Sequence, residues 1–198
     1  MLRDPVDFLY SYHSQCIYDA VEDERDFETA LYLEESRKKG KKIPIHTPVP
    51  SYAYYSEMAK FSVQISRFKQ FFPEENIKII IYDDFRDDHE DVYYDVLQFL
   101  EIGTVFTHDF SVVNPNKKIR FFRLNTFLNN YSTLFLKYLP VNLYKNLLRL
   151  YYIVNIYHAK RPSLNYDVRL NLKKNFDSEI KVLSKFLGRS LSDLWDYY

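Results

Sequence analysis

Leu2-Arg3-Asp4-Pro5-Val6-Asp7-Phe8-Leu9-Tyr10-Ser11-Tyr12 is the stretch from which the rest of this 198-residue chain is read. Asp4 is a helix-capping residue, and Pro5 suits the first helical position, where its missing N–H is not needed. Asp7 adds negative charge at the positive end of the helix. The stretch reads as a strand end, a tight turn and the start of a helix running to about Tyr18, with Leu9, Tyr12 and Cys16 on one face. Arg3 leaves the carboxyl edge of that strand, where ligands bind in open α/β sheets. Ser11 lies about two turns into the helix. A guanidinium fork and a hydroxyl converging on one point suit a phosphate monoester.

Working outward, a second helix is expected over Asp26–Lys39, ending at Gly40 with basic residues in its last turn. Pro44, Pro48 and Pro50 make Ile43–Tyr52 an ordered loop. A third helix is expected from Tyr54 to Phe72, stopped by Pro73. Ile77-Lys78-Ile79-Ile80-Ile81-Tyr82 is the clearest strand, nearly continuous in apolar character as in a parallel sheet covered on both faces. A helix over His89–Leu100 and an irregular stretch over Thr104–Lys118 follow. Two aromatic helical segments within Phe121–Tyr157 are divided by Pro140. The last long helix spans Asp167–Leu187, with Leu172, Phe176, Ile180, Leu183 and Leu187 inward and Gly188 as its stop. No internal repeat or low-complexity linker interrupts the chain, so residues 1–198 read as one α/β domain, helix-rich in its C-terminal half.

Hydrophobic residues make up 46% and charged residues 27%, the balance of a folded domain and not of a disordered one. Aromatics reach 18%, which fits either rings at core edges and pocket walls or a biased codon usage. Lys and Arg total 27 against 27 Asp and Glu, and this zero net charge weighs against a nucleic-acid binder. Cys16 is the one cysteine, so neither an intrachain disulfide nor a cysteine-based zinc site is possible. With no secretory signal after Met1-Leu2, a reducing, cytoplasmic location is expected. Phe121–Tyr157 is too interrupted, by Lys137, Pro140, Lys145 and Arg149, to span a membrane. His13, His46, His89, His108 and His158 show no ligand spacing, so no metal is expected. The acidic clusters Glu22–Glu28 and Asp83–Asp91 read as surface, and Arg37–Lys42 as a charge complement to a helix end.

The opening stretch resembles the 3′-phosphate-binding motif of sulfotransferases that use 3′-phosphoadenosine 5′-phosphosulfate (PAPS). That motif has the form Leu-Arg-Asx-Pro followed by a short helical stretch ending Tyr-Ser-x-Tyr, and Leu2, Arg3, Asp4, Pro5, Tyr10 and Ser11 occupy its positions. The sequence departs from it at Phe8-Leu9 and at Tyr12-His13, neither of which holds a phosphate ligand. Further likenesses follow in order: Phe27–Lys39, Tyr55 to Phe72-Pro73, Ile81-Tyr82-Asp83-Asp84-Phe85, Phe99-Leu100, and Leu187-Gly188-Arg189-Ser190-Leu191-Ser192 ending at Trp195. The last of these is similar to bacterial and carbohydrate-type members.

The resemblance implies a partial three-layer α/β/α fold with a parallel sheet, of the P-loop nucleotide-kinase-like sulfotransferase type. It assigns the 3′-phosphate of PAPS, or of the product adenosine 3′,5′-bisphosphate (PAP), to Arg3 and Ser11. A basic loop closing over the nucleotide is placed either at Lys117, Lys118 and Arg120 or at Lys160-Arg161; solvated helix-end charge is the competing reading of both. The family's glycine-bearing phosphosulfate loop and its acceptor-activating His or Glu lie upstream of this motif. The chain is therefore expected to be N-terminally truncated, with its catalytic residues upstream of Met1. The implied reaction moves a sulfuryl group from PAPS to a hydroxyl or amine of an acceptor, a carbohydrate or similar. The alternative is a catalytically inactive fragment that binds nucleotide or a partner. For Phe121–Tyr157 an acceptor cleft, a lid, an oligomer surface and a cover for the sheet all stay open, with packing favoured.

Overall fold

The computed structural model describes residues 1–103 and 117–197; the irregular stretch expected over Thr104–Lys118 lies outside the described residues up to Asn116, as does His108. Helix α1 (Pro5–Tyr18) is followed by α2 (Phe27–Tyr32) and α3 (Glu34–Lys38). A 3-10 turn at Pro50–Ala53 precedes α4 (Tyr55–Met58) and α5 (Phe61–Lys69). Next come α6 (Tyr82–Asp87) and α7 (His89–Phe99). Strand β1 (Lys117–Ile119) leads into α8 (Phe122–Tyr138), α9 (Val141–Asn155) and β2 (Ile156–His158). Helices α10 (Tyr166–Leu187) and α11 (Leu191–Leu194) follow. No helix among the described residues is long and apolar enough to cross a membrane.

The chain divides into two compact units, one made of Met1–Phe8, Met58–Val113 and Tyr166–Tyr198, the other of Leu9–Glu57 and Asn114–Asn165. In the first unit α10 packs on α5. The three- and four-residue spacing of Leu172, Phe176, Ile180 and Leu183 puts all four in the core, and α5 buries Phe61 and Ile65. At the rim of this contact Glu179 accepts hydrogen bonds from the Ser62 N–H at 2.6 Å and the Ser62 hydroxyl at 2.7 Å. Gly188 takes a φ of +60° to end α10, a conformation that glycine adopts without strain. Two of the family-like motifs then bind each other. Arg189 Nη1 lies 2.6 Å from the Asp84 carboxylate, and Trp195 Nε1 donates to Asp83 at 2.8 Å.

The N-terminal turn is built as its residues dictate. Asp4 accepts from the Val6 N–H at 2.7 Å, capping α1, and from the Tyr197 hydroxyl at 3.1 Å. Leu2 pairs in parallel with Ile81: its N–H reaches Ile80 O at 2.7 Å and its carbonyl accepts from Tyr82 N–H at 2.6 Å. The strand expected over Ile77–Tyr82 is an approach to this single bridge, and Tyr82 already opens α6. A strand persists only as far as a neighbouring segment pairs with at least one of its edges. Among the described residues Leu2 is the partner here, and the named sheet is the two-stranded antiparallel β1–β2.

In the second unit β1 and β2 pair Lys117 with His158, Lys118 with Tyr157 and Ile119 with Ile156. This pairing corrects the expectation of irregular chain at Lys117–Lys118 and of helix as far as Tyr157. Buried Asn155 holds the turn into α8, its side-chain oxygen accepting from Phe121 N–H at 2.6 Å. Asn125, also buried, donates to Tyr18 O at 2.9 Å and accepts from the Tyr151 hydroxyl.

The expected second helix is broken at Leu33, where each half buries its own pair: Phe27 and Ala30 in α2, Glu34 and Arg37 in α3. The third is broken before α5, where Lys60 takes a ψ of 70°, outside the helical range, beside fully buried Ala59. Glu22, expected at the surface, and Arg37, expected as helix-end charge, are both buried. Two guanidinium nitrogens of Arg37 donate to the Glu22 carboxylate at 2.8 Å each, and the Tyr55 hydroxyl adds a third bond at 2.6 Å. Composition cannot show this, because the partners that make burial tolerable lie 15 and 33 residues away.

Candidate functional site

The second unit contains a cavity of about 590 Å³ whose back wall is one face of α1. Tyr10, His13, Ser14 and Ile17, at the i, i+3, i+4, i+7 spacing of a single helical stripe, all line it. β1 brings Lys117 and Lys118, the start of α2 brings Arg25 and Asp26, and the segment after β2 brings Arg161.

Arg161 organises the α1 wall. Its Nε donates to the Ser14 hydroxyl at 3.1 Å and its Nη2 to the Ser11 hydroxyl at 3.3 Å, while the guanidinium lies 5.4 Å from the Tyr10 ring centroid. Ser14 gives its own proton to Tyr10 O at 2.9 Å, so its lone pairs face Arg161. Ser11 accepts from Arg161 and keeps an O–H with which to donate.

The other cations rest on rings. Lys117 Nζ lies 5.6 Å from the Tyr18 ring and Arg25 5.5 Å from the Phe122 ring. Among the described residues no carboxylate pairs with Arg25, Lys117 or Lys118. Asp26 faces away chemically, because its carboxylate accepts from both the N–H and the hydroxyl of Thr29 at 2.8 Å, which caps α2 and holds its pKa below the usual range. Cations held over aromatic faces, beside hydroxyls and flat apolar walls, can bind a molecule that is anionic at one end and aromatic at the other.

His13 is a wall residue. Burial pushes its pKa down, and against that its Nε2 donates to Glu24 O at 2.8 Å. The ring packs against Phe27 and Tyr55, with centroids 5.4 and 5.9 Å away.

The residues singled out in the sequence divide clearly. Ser11 and Arg161 are bonded to each other, and Lys117 and Lys118 share the cavity with Arg161. Arg120 is not among the lining residues and sits 5.7 Å from the Tyr157 ring, and Lys160 is exposed. Arg3 belongs to the first unit, where its guanidinium covers the Tyr82 ring at 4.7 Å and carries no ion pair among the described residues. Tyr10 belongs to the motif without a ligand role, and Arg25, Ser14 and Tyr18 lie outside it. The helical spacing of Tyr10, Ser14 and Ile17 looks the same for a core face.

No protein-family model matches the sequence, and no curated protein matches it. Among solved structures, the chain is similar to the crystal structure of the sulfotransferase from Alicyclobacillus acidocaldarius. The TM-score is 0.62 at 21% sequence identity, over 98% of this chain and 55% of that one. The chain thus spans about half the length of the protein it matches. The likeness shows the fold: this is a sulfotransferase fold over that half.

Proposed function

We propose that this chain carries the 3′-phosphate-binding part of a PAPS-dependent sulfotransferase, with residues 1–198 forming part of one catalytic domain and the Leu2–Ile81 bridge part of a larger parallel sheet. Arg3 and Ser11 contact the 3′-phosphate, a role resting on the motif they occupy. Arg161, Lys117 and Lys118 add positive charge along the nucleotide. The observation that carries this reading is the Arg161 guanidinium bonded to Ser11 and Ser14 at a cavity that Lys117 and Lys118 also line. At about 590 Å³ the space falls within the ~300–1,000 Å³ of small-molecule sites. Tyr10, Tyr18 and Phe122 offer faces for a purine, and the cations offer partners for phosphate.

In the reaction an acceptor hydroxyl oxygen, on a carbohydrate or similar molecule, bonds to sulfur in line as the bond from sulfur to the phosphate oxygen breaks. The acceptor proton goes to a general base and PAP leaves. The residues of this chain act by holding the nucleotide so that sulfur faces the acceptor, and positioning of this kind is a large share of group-transfer catalysis. The compartment proposed is the cytoplasm.

Calorimetric titration with PAP tests the reading. The parent chain binds, and Ser11→Ala and Arg161→Ala each weaken binding roughly tenfold or more, as expected for charge-assisted hydrogen bonds. A chain that does not bind PAP overturns the proposal, and an Arg3→Ala variant as tight as the parent removes Arg3 from the site. Binding without sulfuryl transfer, in the protein that contains this chain, selects the inactive nucleotide-binding module instead.

A further inference from the structure

We propose that the α8–α9 face of the second unit docks on an anionic phospholipid surface. Between Asp109 and Asp167 the sequence contains no Asp or Glu, and of its nine Lys and Arg four, Arg123, Lys137, Lys145 and Arg149, lie on α8 and α9. The whole chain is neutral, so this segment concentrates positive charge that the remainder offsets elsewhere. Within the same segment α8 and α9 leave large apolar side chains in solvent. α9 exposes Leu143, Leu147 and Leu150 at helical spacing, with Ile153 beside them at 70% exposure. α8 adds Tyr131 and Tyr138, seven apart and so on one side of the helix, with Tyr138 75% exposed.

Helices that lie in a membrane interface combine an apolar stripe with flanking Lys and Arg, the stripe entering the boundary between headgroups and acyl chains. Lys145, Arg149 and Ile153 are each four residues apart, so the two cations form a separate basic row that meets the apolar stripe at Ile153, and their long side chains can reach headgroup phosphates from the polar side of the helix. Tyr131 and Tyr138 suit the headgroup level, with apolar rings and polar hydroxyls. A second copy of the chain fits this face poorly, because a two-fold contact would set like charges against each other with no carboxylate between them. Neither helix is apolar enough to span the bilayer, so the contact lies along its surface. The inference stands on this surface alone and does not depend on sulfuryl transfer.

Co-sedimentation with vesicles tests it. The chain is expected to pellet with phosphatidylcholine vesicles containing phosphatidylglycerol, not with pure phosphatidylcholine, and to be released by raised salt. Lys145→Gln with Arg149→Gln is expected to weaken partitioning roughly twenty-five-fold, about fivefold per charge. Leu150→Ser with Ile153→Ser is expected to abolish it, and far-UV circular dichroism checks that both variants keep their helices. Failure to pellet with anionic vesicles overturns the proposal, as does equal pelleting with neutral ones. A dimer by light scattering that Leu150→Ser with Ile153→Ser dissolves, in a chain that ignores vesicles, makes a second copy the occupant and overturns it too.

Discussion

Each unit buries a carboxyl group, and the two do so in opposite ways. Asp4 of the first unit has one backbone N–H and one tyrosine hydroxyl for company, and burial raises its pKa above the ordinary value despite them. Glu22 of the second unit is also disfavoured as an anion by burial. The Arg37 and Tyr55 hydrogen bonds, helped by the Glu24 N–H, outweigh that and hold its pKa below the ordinary range. Burial by itself therefore does not say whether a carboxyl is a charged anchor or a group that resists ionising. The number and charge of its donors decide. In the first unit α10 and α5 meet through apolar side chains, and in the second a buried ion pair joins α3 to the chain after α1.

The strongest challenge to that contrast is Arg37→Met. Leaving Glu22 buried without its cation should cost roughly 3–5 kcal/mol, read by chemical denaturation, while adding Glu22→Gln should recover most of the loss. A loss below about 1 kcal/mol would reduce the pair to an ordinary surface bridge. Somewhat smaller is Leu183→Ala, at roughly 2–5 kcal/mol, in the first unit. Trp195, the one tryptophan of the chain, lies in that unit, so its fluorescence should follow Leu183→Ala more closely than far-UV circular dichroism does. Asp26→Ala should remove the α2 cap at a cost of about 1 kcal/mol, seen as faster hydrogen exchange at the start of α2.

The smallest effect separates the units by its sign. Folded Asp4 keeps its proton to higher pH than the unfolded chain does, so its contribution falls as pH rises through the folded pKa. Folded Glu22 gives up its proton at lower pH, so its contribution is present above the unfolded value and is lost as pH drops through the folded pKa. Asp4→Asn and Glu22→Gln should flatten stability against pH on opposite sides of the ordinary carboxyl range. Equal slopes in the two variants would break the contrast.

What the sequence made legible follows from range. The start of α1 at Asp4-Pro5, the division of α8 from α9 at Pro140, and the buried stripe of α10 from Leu172 to Leu183 are local rules and appear where expected, while Leu187, expected inward with them, is half-buried at the helix end. The β1–β2 ladder and the Glu22–Arg37–Tyr55 cluster join segments that no local period connects. The site divides the same way. The motif marked Ser11, and the resemblance offered Lys117, Lys118 and Arg161 as a basic loop without showing that Arg161 reaches back 150 residues to Ser11. Arg25 was invisible because a basic residue just before a helix cap is commonplace.

The bond from Ser62 to Glu179 carries a consequence for synthesis. It joins residues 117 apart, and α5 leaves the ribosome long before α10 does. At roughly 5–20 residues per second, Phe61 and Ile65 wait on the order of ten seconds for the helix that covers them. The Asn114–Asn165 part of the second unit is translated meanwhile, while that apolar strip is still uncovered. Slowing elongation between Asn114 and Asn165 should lengthen that wait and raise the share of nascent chain held by a chaperone.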